Sequence, residues 1–414
     1  TGLIILCGGK FNMVDEKREI GIIVTYPEKG KKHSDFSGIA GYTKNLLSSL
    51  PKRDRSRVVV FSNIKKHKNL FNDFDIEVNE CWERGKLSFD EEIIQEIKKY
   101  PNLKLIHIQH EFNLFGGSLT ILKYLALLKK LKRLNKKIIV TYHGFASQKI
   151  IDKNFNKINQ IGLPNFVIKR LFKFVFNASS KYIDQVIVHE QYFKESLINE
   201  YGFKPERIVV IPHGVESELK SMPKQQARDK LKLPPKKIIM FFGFLAGYKG
   251  VDILVDAFKE LNRKNNGYVL ILAGGKPKRT EKDRKYTEWY NQLEEKIKNN
   301  PGIIATGFIK ENDICAYYSA VDVLILPYLY MLSASGPMNL AIAYELPFLA
   351  SDAFENVWGK IFPNIIFKRN PESLKNKIQE FFKNKKYFAK DIHGLKNQRS
   401  WKNIAKKTWE VWRR

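Results

Sequence analysis

The chain has 414 residues and a mass of 48.3 kDa, room for two or three domains and a large core without covalent staples. Hydrophobic residues make up 43% and charged residues 28%, which excludes a disordered chain. Its 72 Lys and Arg against 43 Asp and Glu give +29 and a pI near 9.7, which admits nucleic acid, an anionic membrane surface or a phosphorylated small molecule as partner.

Part of the charge is a compositional habit of a Lys-, Ile- and Asn-rich chain. Cys7, Cys81 and Cys315 are far apart, so neither a disulfide framework nor zinc-ligand spacing exists, and a reducing cytoplasm fits. The histidines form no HExxH pattern. No uncharged apolar run is long enough to cross a membrane. Residues 1–18 lack the basic start of a signal peptide and read as a leader of unclear role.

In chain order, EIGIIVTY (19–26) reads as a buried strand, followed by a polar Gly-containing loop and a helix from near Tyr42. Strands follow at 57–62, 104–109, 136–142, 185–190 and 207–212, separated by helical stretches. The polar, Pro-containing segment after Gly214 reads as a linker. A second series has strands at 237–244, 268–275, 302–309, 321–328 and 347–352, with a helix at 250–264. Trp401, Ile404, Ala405 and Trp412 recur at helical spacing in a terminal helix. Buried-type strands alternating with helices predict parallel βαβ units, hence two doubly wound α/β domains with a cleft between them. The expected boundaries are 19–215, 216–395 and a terminal helix at 396–414.

Strand-to-helix loops of such domains are where ligands bind. Gly38 and Gly41 follow the first strand and allow close approach of a ligand to the backbone; a plain tight turn explains them equally. In FFGFLAGYKG (241–250), Lys249 precedes a helix start, placed either to meet a phosphate or as a solvated surface group. In the turn from Ser333 to Gly336, Pro337 opens a helix running to about Tyr344. Amides at Ser335 and Gly336 are candidates for a diphosphate; the alternative is a helix cap without ligand. His143 ends one strand, and His110 with Glu111 ends another, as candidate catalytic groups or as satisfied structural residues.

Taken together, in this order over 19–414, these segments resemble the family-four glycosyltransferases, a retaining, nucleotide-sugar-dependent group of GT-B fold. The matching pieces are GIAGYTKNLLSSL, TYHG, the stretch 186–216 ending in PHGVE, FFGFLAGYKG, LILAGGKP, GFIKENDICAYYSAVDVLILPY and SWKNIAKKTWEVW. The resemblance implies two Rossmann-like domains facing a central cleft, with the C-terminal helix crossing back onto the N-terminal domain. It implies that Gly38 and Gly41 line the cleft and that His143 contacts the transferred sugar. Gly243, Lys249, Gly250, Gly274, Gly275, Ser335 and Gly336 would serve the donor. No metal and no cofactor beyond the nucleotide diphosphate sugar donor is expected.

Four positions depart from the family pattern. Phe244 stands where an Arg is usual, so donor affinity would rest on Lys249 alone or on another cation such as Lys276 or Lys278. Leu332 and Leu340 stand where two glutamates are usual, and Glu345 where glycine is usual. His110 or Glu111 would compensate for the missing acids.

The expected function is therefore hexose transfer, mannosyl or glucosyl, from a nucleotide diphosphate sugar to a glycan or lipid-linked acceptor in polysaccharide or glycoconjugate synthesis. The alternative is a non-catalytic sugar-binding or scaffold protein of the same fold. The segment 163–182 mixes aromatics with Lys169, Arg170 and Lys173; it reads either as a core helix with a basic edge or as a helix lying on an anionic membrane, which would place the chain on the inner face of the cell membrane. No nucleic-acid-binding motif is present.

Overall fold

The computed structural model describes residues 17–31, 38–111, 114–116, 120–144, 146–152, 156, 163–263, 267–277, 283–331, 334–359, 361–389 and 392–414. Residues 1–16, Lys278, Leu332 and Ser333 lie outside the described residues. The chain divides into two compact units, Thr1–Thr141 with Ala178–Val186, and Tyr142–Asn177 with Ile187–Arg414.

Fourteen strands are described: β1 (Ile20–Ile23), β2 (Val58–Asn63), β3 (Asn69–Asp73), β4 (Ile76–Trp82), β5 (Leu105–His110), β6 (Lys137–Tyr142), β7 (Gln185–Val188), β8 (Ile208–Val210), β9 (Lys237–Phe242), β10 (Tyr268–Ala273), β11 (Ile303–Gly307), β12 (Val323–Leu326), β13 (Phe348–Ser351) and β14 (Ile366–Phe367). The first sheet runs β3-β4-β2-β1-β5-β6-β7-β8. β1 pairs in parallel with both β2 and β5, in register Ile20 to Val58 and Ile20 to Leu105. Every residue of β1, β2 and β5 is buried, as continuous apolar runs require when both faces of a parallel sheet are covered.

One part of this sheet differs from the all-parallel expectation. β3 runs antiparallel to β4 in a hairpin. Its turn is Phe74-Asp75, with φ of 52° and 66°. That conformation usually selects Asn-Gly, so this turn carries no sequence signal.

The second sheet runs β11-β10-β9-β12-β13-β14, and all its pairs are parallel. Numbered from β9, this is the 3-2-1-4-5-6 order of a dinucleotide-binding fold. The strand order reverses between β9 and β12, so the loops leaving those two strands flank a topological switch point.

Three further expectations are corrected. The first helix, Gly38–Ser48, begins four residues before Tyr42 and includes both glycines. Interior glycine costs about 1 kcal/mol against alanine, but burial of Ile39, Ala40 and Tyr42 overrides that local preference. The segment read as a linker holds a helix, Lys224–Lys230. Lys224 and Arg228 from it reach the buried Asp322 carboxylate at 2.6 and 3.1 Å. Arg18, the last residue of the presumed leader, is buried and donates from Nη1 to the carbonyls of Ser56 and Val58 at 2.6 and 3.0 Å.

The terminal helix spans Trp401–Arg413 and buries Trp401, Ile404, Ala405 and Trp412, the four residues its spacing singled out.

Candidate donor site and strand-end histidines

After β9 the chain turns at Gly243, passes through a short 3-10 turn at Gly247–Lys249, and enters the helix Val251–Asn262. Gly250 makes the junction with φ of 64°. A Cβ there would fall 1.9 Å from the Pro327 carbonyl oxygen, so only glycine lets the loop leaving β9 touch the loop leaving β12. The Leu329 amide donates to the Tyr248 carbonyl at 2.8 Å and closes the two loops together.

This closure carries Lys249 inward. Its side chain is buried, and its Nζ lies 5.4 Å from the centroid of the Tyr328 ring. Gly243, with φ of 122°, gives the ammonium its space, since a Cβ there would lie 2.7 Å from Lys249 Nζ. Gly274 and Gly275 end β10 beside the same loop: the Gly243 amide donates to the Ala273 carbonyl at 2.9 Å, and the Leu245 amide to the Gly275 carbonyl at 3.1 Å.

From β12, Tyr328 directs its hydroxyl to Ser335 Oγ at 3.3 Å. Ser335 is the N-cap of the helix Gly336–Ala343, its hydroxyl accepting from the Met338 amide at 3.4 Å. Pro337 occupies the first turn as expected. Capping uses the Ser335 side chain, while the backbone of Gly336 is open, with no atom within 4 Å of where its Cβ would stand. Gly243, Lys249, Gly250, Gly274, Gly275, Ser335 and Gly336 therefore belong to adjoining loops at the carboxyl ends of β9, β10 and β12.

The departures have local explanations. Phe244 is 50% exposed and meets Phe308, 61% exposed, edge to face at 5.7 Å. Lys276 places its ammonium 4.0 Å from the Tyr290 ring centroid. Glu345 has φ of 55° because it is the left-handed residue ending the helix Gly336–Ala343: the Leu346 amide donates to Ala341 and the Glu345 amide to Ile342. His393 and Lys396 meet its carboxylate at 3.1 and 3.2 Å.

Sequence reasoning passed over Asn339. It is the one polar side chain buried inside that helix, and among the described residues neither its amide nitrogen nor its carbonyl oxygen has a hydrogen-bond partner. Such orphaned groups are rare in folded proteins and cost about 1–3 kcal/mol. The signal was present in PMNLAIA, a single amide in an apolar turn.

In the first unit, Gly38 opens the helix Gly38–Ser48 with no atom within 4 Å of its would-be Cβ, and Gly41 is buried one turn on. His110 ends β5, buried, with its ring 4.6 Å from that of Tyr124. Burial pushes its imidazole down to about 3, so it is neutral at physiological pH. Glu111 follows at the surface edge, half-buried.

In the second unit, His143 follows β6, His189 follows β7, and His213 lies beyond β8. His189 Nε2 is 3.0 Å from His143 Nδ1, and the His189 ring lies 5.5 Å from that of His213. Trp401 extends the series at 5.6 Å from His213 and packs on Gly214, where a Cβ would lie 2.3 Å from its indole. The Val215 amide donates to the Arg399 carbonyl at 2.8 Å, and Arg399 pairs with the buried Glu190 at 3.3 Å. The PHGVE stretch is thus a docking strip for the terminal helix.

Two α/β sheets, the first mostly and the second wholly parallel, define a GT-B-type fold. Known proteins agree. The family model for glycosyltransferase family 4 matches residues 36–219, and that for glycosyl transferases group 1 matches residues 223–408. The chain belongs to the group 1 glycosyltransferases of family four.

A mannosylfructose-phosphate synthase of Agrobacterium fabrum is 28% identical over 150 residues, 34% of this chain and 32% of that protein. The chain thus spans about a third of the length of that relative. Sucrose-phosphate synthase of Thermosynechococcus elongatus superposes with a TM-score of 0.73 at 19% identity, covering 96% of this chain and 98% of the other. Anabaena HepE, solved in complex with UDP and glucose, gives 0.66 at 16% identity, covering 95% and 99%. At these identities the structures establish the fold.

Proposed function

We propose that this chain is a retaining glycosyltransferase moving a hexose, glucose or mannose, from a nucleotide diphosphate sugar to a glycan or lipid-linked acceptor in polysaccharide or glycoconjugate synthesis. The observation that carries the reading is the buried ammonium of Lys249 at the switch point of the second sheet, framed by Gly243 and Tyr328. Departure of a nucleoside diphosphate develops negative charge on its oxygens. A preorganised cation in a water-poor setting stabilises that charge more than it stabilises the bound donor. The Gly336 backbone and the helix behind it add a partial positive charge. Asn339 offers a polar group one residue before Leu340, where the family's acid is missing. We assign His143 to the transferred sugar, and keep Glu111 and His110, at the end of β5, as catalytic candidates of the first unit. The donor charge is met by these protein groups without a metal. HepE, solved with UDP and with UDP-glucose, supports a nucleotide sugar as donor.

Among the described residues no helix is long and apolar enough to cross a membrane. The helix Asn165–Ser180 supports surface attachment instead: it buries Ile168, Phe172, Val175 and Phe176, while Phe166 and Phe174 are 60% and 61% exposed beside Arg170 and Lys173. We place this face on an anionic inner membrane surface. Co-sedimentation with vesicles that is indifferent to anionic lipid would remove that assignment.

The alternative, a sugar-binding partner without transfer, is favoured by Leu340 and Phe244. A thermal-shift screen against nucleotide diphosphate sugars, followed by a transfer assay with each stabilising donor, tests both. A donor that raises Tm and is turned over supports transfer; one that raises Tm and is never consumed supports the binding protein.

A further inference from the structure

The loop leaving β12 is held from both sides of its strand. In the sheet, β9 lies on one side of β12, with β13 and β14 on the other. Toward β9, the Leu329 amide donates to the Tyr248 carbonyl at 2.8 Å, one residue before Lys249. Toward β13, the hydroxyl of Ser351, fully buried at the strand's end, donates to the Tyr328 carbonyl at 2.5 Å. The Tyr328 carbonyl and the Leu329 amide belong to one peptide group. That group is planar, so fixing its C=O fixes the direction of its N–H. The next carbonyl along, that of Leu329, accepts from Arg369 Nη1, two residues past β14. Asp352, just past β13, holds the same guanidinium through an ion pair from Nε at 2.6 Å. The Arg369 and Asp352 side chains are 45% and 28% exposed. An ion pair so open to water adds little to folding stability, so what Arg369 contributes is position.

We propose that Arg369, oriented by Asp352, is a positioning residue for the donor. With Ser351 it clamps the Tyr328–Leu329 backbone. Through that backbone it sets both the Tyr328 ring, 5.4 Å from Lys249 Nζ, and the Tyr248–Lys249 turn. This rests on the assignment of Lys249 to the donor diphosphate. Displacement of a binding group by about 1 Å costs as much as about 100-fold.

The test uses the full chain and has two arms. The first is amide hydrogen exchange over 327–331, read by mass spectrometry. Arg369→Ala should speed it about tenfold or more, with Tm within a few degrees of the wild type. The second arm is calorimetric titration with UDP, GDP and ADP. Arg369→Ala should weaken the nucleotide that binds the wild type about 10- to 100-fold. Arg369→Lys, which keeps a donor for the Leu329 carbonyl, should restore part of both. In a Lys249→Gln background, removal of Arg369 should cost less than about twofold more, because it acts through Lys249. Unchanged exchange, unchanged affinity, or a fully additive loss in the double variant would overturn the proposal. The exchange arm needs no ligand: a wild type that binds none of the three nucleotides, yet loosens at 327–331 without Arg369, contradicts the donor assignment of Lys249 and leaves the clamp standing.

Discussion

Gly243 and Lys249 share one small volume: a side chain on the first would occupy the place of the ammonium of the second, 2.7 Å from its Nζ. The loop between them is therefore built around a cation rather than decorated with one. Gly243→Ala should displace Lys249 and strain a backbone held at φ of 122°. We expect donor affinity to fall about tenfold or more, which corresponds to roughly 1.4 kcal/mol. Titration of the variant with the donor that stabilises the wild type checks this; unchanged affinity would separate the glycine from the cation.

Asn339 supports a prediction in which stability and function move in opposite directions. Its orphaned amide costs folding energy, so Asn339→Leu should raise Tm, by an amount consistent with about 1 kcal/mol. The same change should raise KM for the donor. Melting curves and donor kinetics measured on one preparation decide the matter. A variant that is more stable and equally active would make Asn339 a packing defect.

Acid should destabilise the chain before its carboxylates titrate. Burial holds His107, His110 and His213 down to about 3 and His189 to about 4, from an ordinary 6.5. The unfolded chain then binds more protons, so this stability is present above pH 6.5 and is lost as pH falls from 6.5 toward 4. Each such histidine removes about 1.4 kcal/mol per pH unit within that window. Tm should drop between pH 6.5 and 5; a flat profile from 7.5 to 5 would contradict neutral burial.

Asp322 makes the reverse case. Burial alone would raise its pKa, but the Ile238 amide and the Lys224 and Lys385 ammonium groups hold it below its ordinary 3.8. Its contribution is present above that value and is lost as pH falls below it. Asp322→Asn at pH 7.5 should cost about 3 kcal/mol, because the carboxylate is buried and ties the Lys224–Lys230 helix to β12. Differential scanning calorimetry checks it; a Tm within a degree of the wild type would show that the helix is held otherwise.

Much of this architecture is legible in the chain because parallel-strand signals are local: VVVFS and KIIVTY read as buried strands and are β2 and β6. The glycines and Lys249 were legible for the same reason, since strand, turn and helix start lie within a dozen residues. The hairpin β3–β4 was not, because Phe74-Asp75 takes a conformation usually marked by Asn-Gly. The helix Lys224–Lys230 was hidden by flanking prolines, and its partner Asp322 is 98 residues away. The bond between His143 and His189, 46 residues apart, arises only when β6 and β7 bring their ends into reach. No motif spacing encodes which nitrogen of either ring holds its proton.

The proposed function turns on Lys249 stabilising the departing diphosphate. Lys249→Gln keeps the length of the side chain and removes its charge. With the donor that stabilises the wild type, transfer should fall by at least about 100-fold, the loss typical when one preorganised transition-state partner is removed. Tm without ligand should stay within a few degrees of the wild type. Transfer at the wild-type rate by a folded Lys249→Gln chain would show that the Lys249 charge plays no part in the reaction.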